Sequence, residues 1–568
     1  MQNWSENRIA FLLTTVLFVV SYLIWGWWTD SYQTMYDFAM SGELTEFYWP
    51  SGNALPEYMP GGTWLFNQLT GWIHVRWISL FMNSLLFISV FLIYRLLWLK
   101  TKDLNALSRW GIIFFFTGFF IESVVLYHMV RTTMFVGIAS LVCVVLESDN
   151  ERSWFKWKYL PYLLLFSIAM WIRCNVHLFV LLFLSFALVL HGRSLKPLST
   201  FYVVFIVAFG YYFNTVFVAD HSDSSHFSFM YDWEFKLYHT GDYEKNLDFA
   251  KAEGDSIRYL AASNGILGDE KNINDEFFER VNAFGKFNRF GPEQLKRAWS
   301  VFVYSMGQNL YYLLADLLLL LAYLILGGQG ISHFKRKTFM LFVVFYSILL
   351  AISIIKMENR FLVPFQMALL LFVVLKHKPN LFYQKKYVWL LFLFLLIDTP
   401  YTLYGTQQKI DYGRSRFSDY RKTMDYLANN HQGEILVLNG VLNPQSRPFQ
   451  TFEDRNNFKE VYFYNYLAVA LSPTFRPYLE NECNCDVGYL YTFYEYLAQL
   501  DDEVVLIDNP DRIEILEAYL EEISDPEYRF ERIALPDSIG NSLNNIGYQG
   551  DNGLYQLSRS NSISEEFE

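Results

Sequence analysis

Apolar residues fall in long blocks along this chain, separated by short polar stretches that carry Lys and Arg. A helix needs roughly 20 apolar residues to cross the hydrocarbon core of a bilayer. By that measure the blocks predict eleven spans, near 9–28, 75–98, 110–129, 132–147, 159–173, 175–190, 200–219, 301–327, 338–355, 361–376 and 387–404. The pattern changes after 404. EILVLNGVL, EVVLIDN and FERIALP read as short strands, and PDRIEILEAYLEEI has the apolar spacing of an amphipathic helix with an acid, Asp511, in its first turn. The expected fold is a polytopic α-helical membrane protein, with residues 1–404 in the membrane and a C-terminal extracytoplasmic α/β domain over 405–568. Its last residues, SRSNSISEEFE, are expected to be disordered.

The basic residues set the expected orientation. Arg8 precedes the first span; Lys100, Lys102 and Arg109 lie between the second and third; Arg152, Lys156 and Lys158 lie between the fourth and fifth. Arg193 and Lys196 follow the sixth, Lys335–Lys337 follow the eighth, and Lys376, Lys378, Lys385 and Lys386 precede the last. All fall on one side if the N-terminus is cytoplasmic, which the positive-inside rule favours. Loops 29–74 and 220–300 and the tail then share the other side. The N-terminal segment has no small-x-small cleavage site and reads as a retained helix.

Composition removes some alternatives. Of 568 residues 53% are hydrophobic and only 18% charged, too greasy for a soluble chain of this length. A net charge of −12 argues against a nucleic-acid partner, because phosphate binding needs a basic face. Four cysteines, two of them in NECNCD, complete no zinc pattern. The tail holds no glycine-rich phosphate loop and no GxSxG, so nucleotide and serine-hydrolase chemistry are not expected there.

The residues left to carry chemistry gather at the outer ends of the spans. Asp30 and Asp37 follow the first, and Glu57 precedes the second. Glu122, His128 and Arg131 surround the turn between spans three and four. Arg173 and Asn175 sit in a hairpin too short to lift them far from the membrane, and Lys356, Glu358 and Arg360 lie in KMENR before span ten. Ionisable side chains at that depth are costly and are candidates for function. Arginines there can bind an anionic lipid headgroup while a carboxylate activates an acceptor. The competing readings are structural: a solvated loop acid for Asp30, snorkelling for Arg360, an internal ion pair for Arg173, and packing or hydrogen bonding for Glu122 and His128.

An acid opening the first outer loop, a helix-like stretch with Tyr36 and Ala39, and PEYMPGGTWLFNQLTG leading into an aromatic helix together resemble the GT-C superfamily of membrane glycosyltransferases. MENRFLVPF is similar to a Glu/Arg-aromatic-x-x-Pro signature before a late helix in such families, and IAMWIRCNVHLFVLL to their mid-chain helix with a surface arginine. An outer C-terminal domain fits the protein mannosyltransferase and aminoarabinose transferase members. The usual adjacent acidic pair is absent, for Asp30 stands between Thr29 and Ser31. The resemblance implies transfer of a sugar from a polyprenyl-phosphate donor to a glycan, lipid or protein acceptor on the non-cytoplasmic face, while the single sequon, Asn3-Trp4-Ser5 on the expected cytoplasmic side, and the absence of retention signals favour a bacterial inner membrane. It implies Asp30 as base, with Asp37 or Glu57 as substitutes. Arg360, Arg173, Arg131 and Lys356 would meet the donor phosphate, and Glu122, His128, Glu358 and Asn175 would support them. A divalent metal is conceivable, held between Asp30 and Glu122. The alternatives are a transporter or flippase for lipid-linked glycans, or a polymerase or ligase of cell-envelope glycans.

Overall fold

A computed structural model describes residues 2–25, 28–29, 77–127, 129–147, 157–172, 243–264, 292–308, 359–377, 385–438, 460–463, 490–499, 503–523, 527–546 and 551–560, with a few isolated positions between them. Among the described residues four helices come first: α1 (Gln2–Trp25), α2 (Trp77–Lys100), α3 (Ala106–Val125) and α4 (Met129–Glu147). A single 3-10 turn, Trp157–Tyr159, leads into α5 (Leu160–Ile172). Several of their hydroxyl groups are satisfied within their own helix. Thr14, Ser89, Thr117 and Ser140 each donate to the carbonyl four residues back, at 2.7–2.8 Å. Tyr94 of α2 shares a 2.8 Å hydrogen bond with Thr117 of α3.

The eleven-span expectation is overturned. Among the described residues three helices are long and apolar enough to cross a membrane: Glu6–Trp25, Leu80–Lys100 and Ala106–Val125. They give the chain its membrane character. The predicted spans 132–147, 159–173 and 361–376 do form helices that are not among these three, and their described apolar stretches are Arg131–Val144, Trp157–Ile172 and Leu362–Leu371. The physical reason lies in what these runs face. From Arg131 to Leu146 nearly every described side chain of α4 is buried, and so is all of Leu362–Leu371 in α9 (Asn359–His377). Hydropathy reports that a run is apolar and does not distinguish a protein neighbour from lipid. The predicted spans 175–190 and 200–219 lie outside the described residues, as do 301–327 and 338–355 for most of their length.

The predicted span 387–404 opens a longer element. The helix continues without a break through residue 404 to Asn430, 46 residues in all, with Pro400 inside it. In chain order this is α10, after α6 (Tyr243–Glu253), α7 (Ser256–Ser263), α8 (Pro292–Gln308) and α9. Beyond it comes a turn in which Gly433 takes φ +83°, a left-handed conformation that L side chains resist. The chain then enters a five-stranded sheet. Its strands are β3 (Ile435–Leu438), β4 (Glu460–Phe463), β5 (Val504–Asp508), β6 (Glu527–Ile533) and β7 (Gly553–Ser560), in spatial order β4-β3-β5-β7-β6. β4, β3 and β5 are parallel, while β7 runs against both β5 and β6. Central β5 is buried at every residue, as a covered parallel strand should be. Between the strands lie α11 (Leu490–Gln499), α12 (Pro510–Ile523) and α13 (Asp537–Ile546).

One part of the expected disordered end is ordered. Ser558–Ser560 belong to β7 and pair with Glu527–Arg529 of β6; residues 561–568 lie outside the described residues. The regular pairing with β6, remote in sequence, supplies the backbone partners that a polar tail lacks on its own.

Two contacts seat the sheet on the rest of the chain. Arg416 of α10 donates to the carbonyls of Asn545 and Ile546, both at 2.8 Å, and so caps the C-terminal end of α13. Asp419 one turn on accepts from Ser542 at 3.1 Å and Asn545 at 3.0 Å. Further out, Arg258 of α7 bridges Asp255 (3.3 Å) and Glu522 of α12 (3.1 Å), and Arg280 also reaches Asp255 at 3.2 Å. The described part of loop 220–300 thus packs against the tail. Arg416→Ala is expected to cost about 2–3 kcal/mol of docking, since it removes charge-assisted bonds at a buried position. Faster hydrogen exchange confined to 537–546 and its contacts on α10 checks this.

Candidate functional site

The ends of α1 and α3 are tied together. After α1 the chain extends as β1 (Trp28–Thr29), and after α3 as β2 (Leu126–Tyr127). The two pair in parallel, Trp28 beside Leu126 and Thr29 beside Tyr127. Parallel pairing directly after two helices requires both helices to end on the same face. α10 crosses at this level. The Trp25 indole donates to Gln407 at 2.7 Å, Arg414 donates to the Trp25 carbonyl at 3.2 Å, and Ile410 packs with Trp25 and Val125.

Within this junction sits a carboxylate between two cations. Glu122, in the last turn of α3, meets Arg131 at 3.3 Å and Lys409 at 2.7 Å through one oxygen, Oε1. The Glu122 side chain is 12% exposed and that of Arg131 5%, whereas Lys409 is 54% exposed. An acid at a helix C-terminus works against the helix dipole, so the flanking cations are what make the position tolerable. Among the described residues the cluster holds one negative and two positive groups, with the lysine on the open side. The arrangement can attract an anion through Lys409 while Arg131 stays committed to Glu122.

A second cluster lies at the other ends of these helices. Arg95 of α2 meets Glu147 at the end of α4 at 3.1 Å, and Tyr162 of α5 donates to the same carboxylate at 2.8 Å. Lys100 caps the Leu146 carbonyl, and Arg109 lies 4.7 Å over the Trp98 ring. These contacts join the ends of α2, α3, α4 and α5 on the basic face and read as structural.

Of the residues singled out in the sequence, the structure brings Glu122 and Arg131 together. Asp30, Asp37, Glu57, His128, Arg173, Asn175, Lys356 and Glu358 lie outside the described residues, although Thr29, next to Asp30, is held by the β1–β2 pair. Arg360 is in the first turn of α9, and only its backbone is described. Lys409, Gln407 and Arg414 were missed, because the last span was expected to end at 404. A signal was present: Ile410, Tyr420, Met424 and Leu427 keep helical spacing through the polar stretch, and all four are buried.

Glu122 suits a metal poorly, since its Oε1 is already shared between two cations. Among the described residues no group of three or more His, Cys, Asp or Glu side chains could hold a metal ion. Compared with protein-family models, curated proteins and solved structures, the chain finds no match.

Proposed function

We propose that the chain is a membrane glycosyltransferase that moves a sugar from a polyprenyl-phosphate donor to a glycan, lipid or protein acceptor. The observation that carries this reading is the Glu122–Arg131–Lys409 cluster, a carboxylate between two cations at a helix end, beside the strand that leads into Asp30. A donor held by its lipid tail brings its phosphate to the depth of such a site. Asp30 takes the proton of the acceptor hydroxyl or amine as that atom attacks the anomeric carbon. The bond from that carbon to the phosphate oxygen breaks, and the phosphate leaves with the electron pair. Lys409, with Arg360, Arg173 and Lys356, compensates its charge. The resemblance to GT-C enzymes supports the same chemistry.

The helix directions support a placement. Lys100, Lys102, Arg109 and Lys158 flank helix ends opposite the Glu122 junction, and α10 carries the sheet away on the junction side. With the basic face cytoplasmic, the junction and the tail are extracytoplasmic, in the inner membrane of a bacterium.

Lys409→Ala tests the site. A charge-assisted hydrogen bond to phosphate contributes about 1.5–3 kcal/mol, so donor binding is expected to weaken by roughly 10- to 100-fold. Binding of a polyprenyl-phosphate sugar to the full chain in detergent measures it. Undiminished binding, or no transfer by the unaltered chain from any such donor, overturns the proposal.

A further inference from the structure

Beyond the apolar run that ends at 404, the described part of the chain covers its large apolar side chains with one exception. Among the described residues from 405 onward, Tyr412 alone is a large hydrophobic side chain left exposed, at 56%. Tyr401 and Tyr404 are exposed too, but they close the apolar run, where the bilayer interface accounts for an uncovered ring. Tyr412 lies about two turns further along α10. A lone exposed ring needs no explanation by itself; the setting of this one does.

Tyr412 follows Lys409 by three residues, about 4.5 Å along the helix axis and roughly 60° round it. Arg416, one turn further, lies over the Tyr412 ring with its guanidinium carbon 5.4 Å from the centroid. That arginine is itself fixed, for it is buried and donates to the Asn545 and Ile546 carbonyls at 2.8 Å each. The ring is thus steadied by an anchored cation and loses little freedom when another group meets its open part. With the junction extracytoplasmic, the order outward along α10 is Lys409, Tyr412, then the docked tail. A polyprenyl-phosphate sugar held by its lipid has a matching order of lipid, phosphate and sugar. Once the phosphate is on Lys409, the sugar falls on the water side, within a turn of helix. One face of a pyranose is lined by C–H groups of slight positive charge, which suit the negative face of an aromatic ring. We propose that Tyr412 is the platform for the donor's sugar, stacking on the C–H face of a pyranose whose phosphate meets Lys409. The platform presupposes the sugar-transfer reading and adds to it the residue that tells a sugar-bearing donor from bare polyprenyl phosphate.

Titration of the full chain in detergent with two probes tests it: polyprenyl-phosphate glucose, and polyprenyl phosphate of the same chain length. The unaltered chain is expected to prefer the sugar-bearing probe. Tyr412→Ala is expected to weaken that probe about tenfold and to leave bare polyprenyl phosphate unchanged. Tyr412→Trp keeps a ring and is expected to keep the preference, whereas Lys409→Ala is expected to weaken both probes alike. Tyr412→Gln takes the place of Tyr412→Ala should the latter fail to fold. Equal affinity of the unaltered chain for the two probes overturns the platform. So does a Tyr412→Ala chain that keeps the preference or loses both probes alike. If Lys409→Ala leaves both affinities unchanged, the phosphate site itself falls, and the platform with it.

Discussion

Asp30→Asn is expected to lower sugar transfer by ~10²–10⁴-fold, the range that a positioned general base contributes. Asparagine keeps the shape of the side chain and removes its ability to accept a proton. The argument for position 30 rests on its predecessor: Thr29 is paired with Tyr127, five residues beyond Glu122 in the chain. That pairing ties the start of the first outer loop to the cluster that would take the departing phosphate. Asp37 and Glu57 lie further along the loop, outside the described residues. The loss should appear in kcat with donor binding unchanged, whereas Lys409→Ala should weaken donor binding first. If Asp30→Asn keeps full activity while Asp37→Asn or Glu57→Gln abolishes it, the base is elsewhere in the loop.

What the sequence revealed depended on the range of each interaction. α1, α2 and α3 were legible because their apolar runs are long and face outward in part, and hydropathy measures that kind of run. α4 and α9 read the same way although their described apolar side chains are buried against protein, which hydropathy does not register. In the tail, EILVL and EVVLID announced β3 and β5, the two adjacent parallel strands with near-continuous apolar residues. The last strand did not announce itself, because SRS of β7 is polar and held by pairing to β6. The site divides along the same line. Glu122 and Arg131 are nine residues apart across one turn, so their proximity could be inferred. Lys409 is 287 residues from Glu122, and its approach depends on α10 continuing past the membrane, which no local pattern of charge conveys.

Glu122→Gln should be the most destabilising single change at this junction, at roughly 3–5 kcal/mol, the usual cost of breaking a buried ion pair by removing one partner. Arg131 decides the size of the effect. Its side chain is 5% exposed, so it cannot recover full hydration when the carboxylate is gone. Lys409 adds little to this cost, since at 54% exposure it can turn to water, and such pairs contribute about 0–1 kcal/mol. The double replacement Glu122→Leu with Arg131→Met removes both buried charges and is expected to recover much of the loss, as apolar replacements of a buried pair often do. Thermal unfolding of the full chain in detergent compares the variants. A Glu122→Gln chain as stable as the unaltered one would mean that water reaches Arg131. The cluster would then be a solvated group of charges, without the dry footing that a phosphate site of this kind requires.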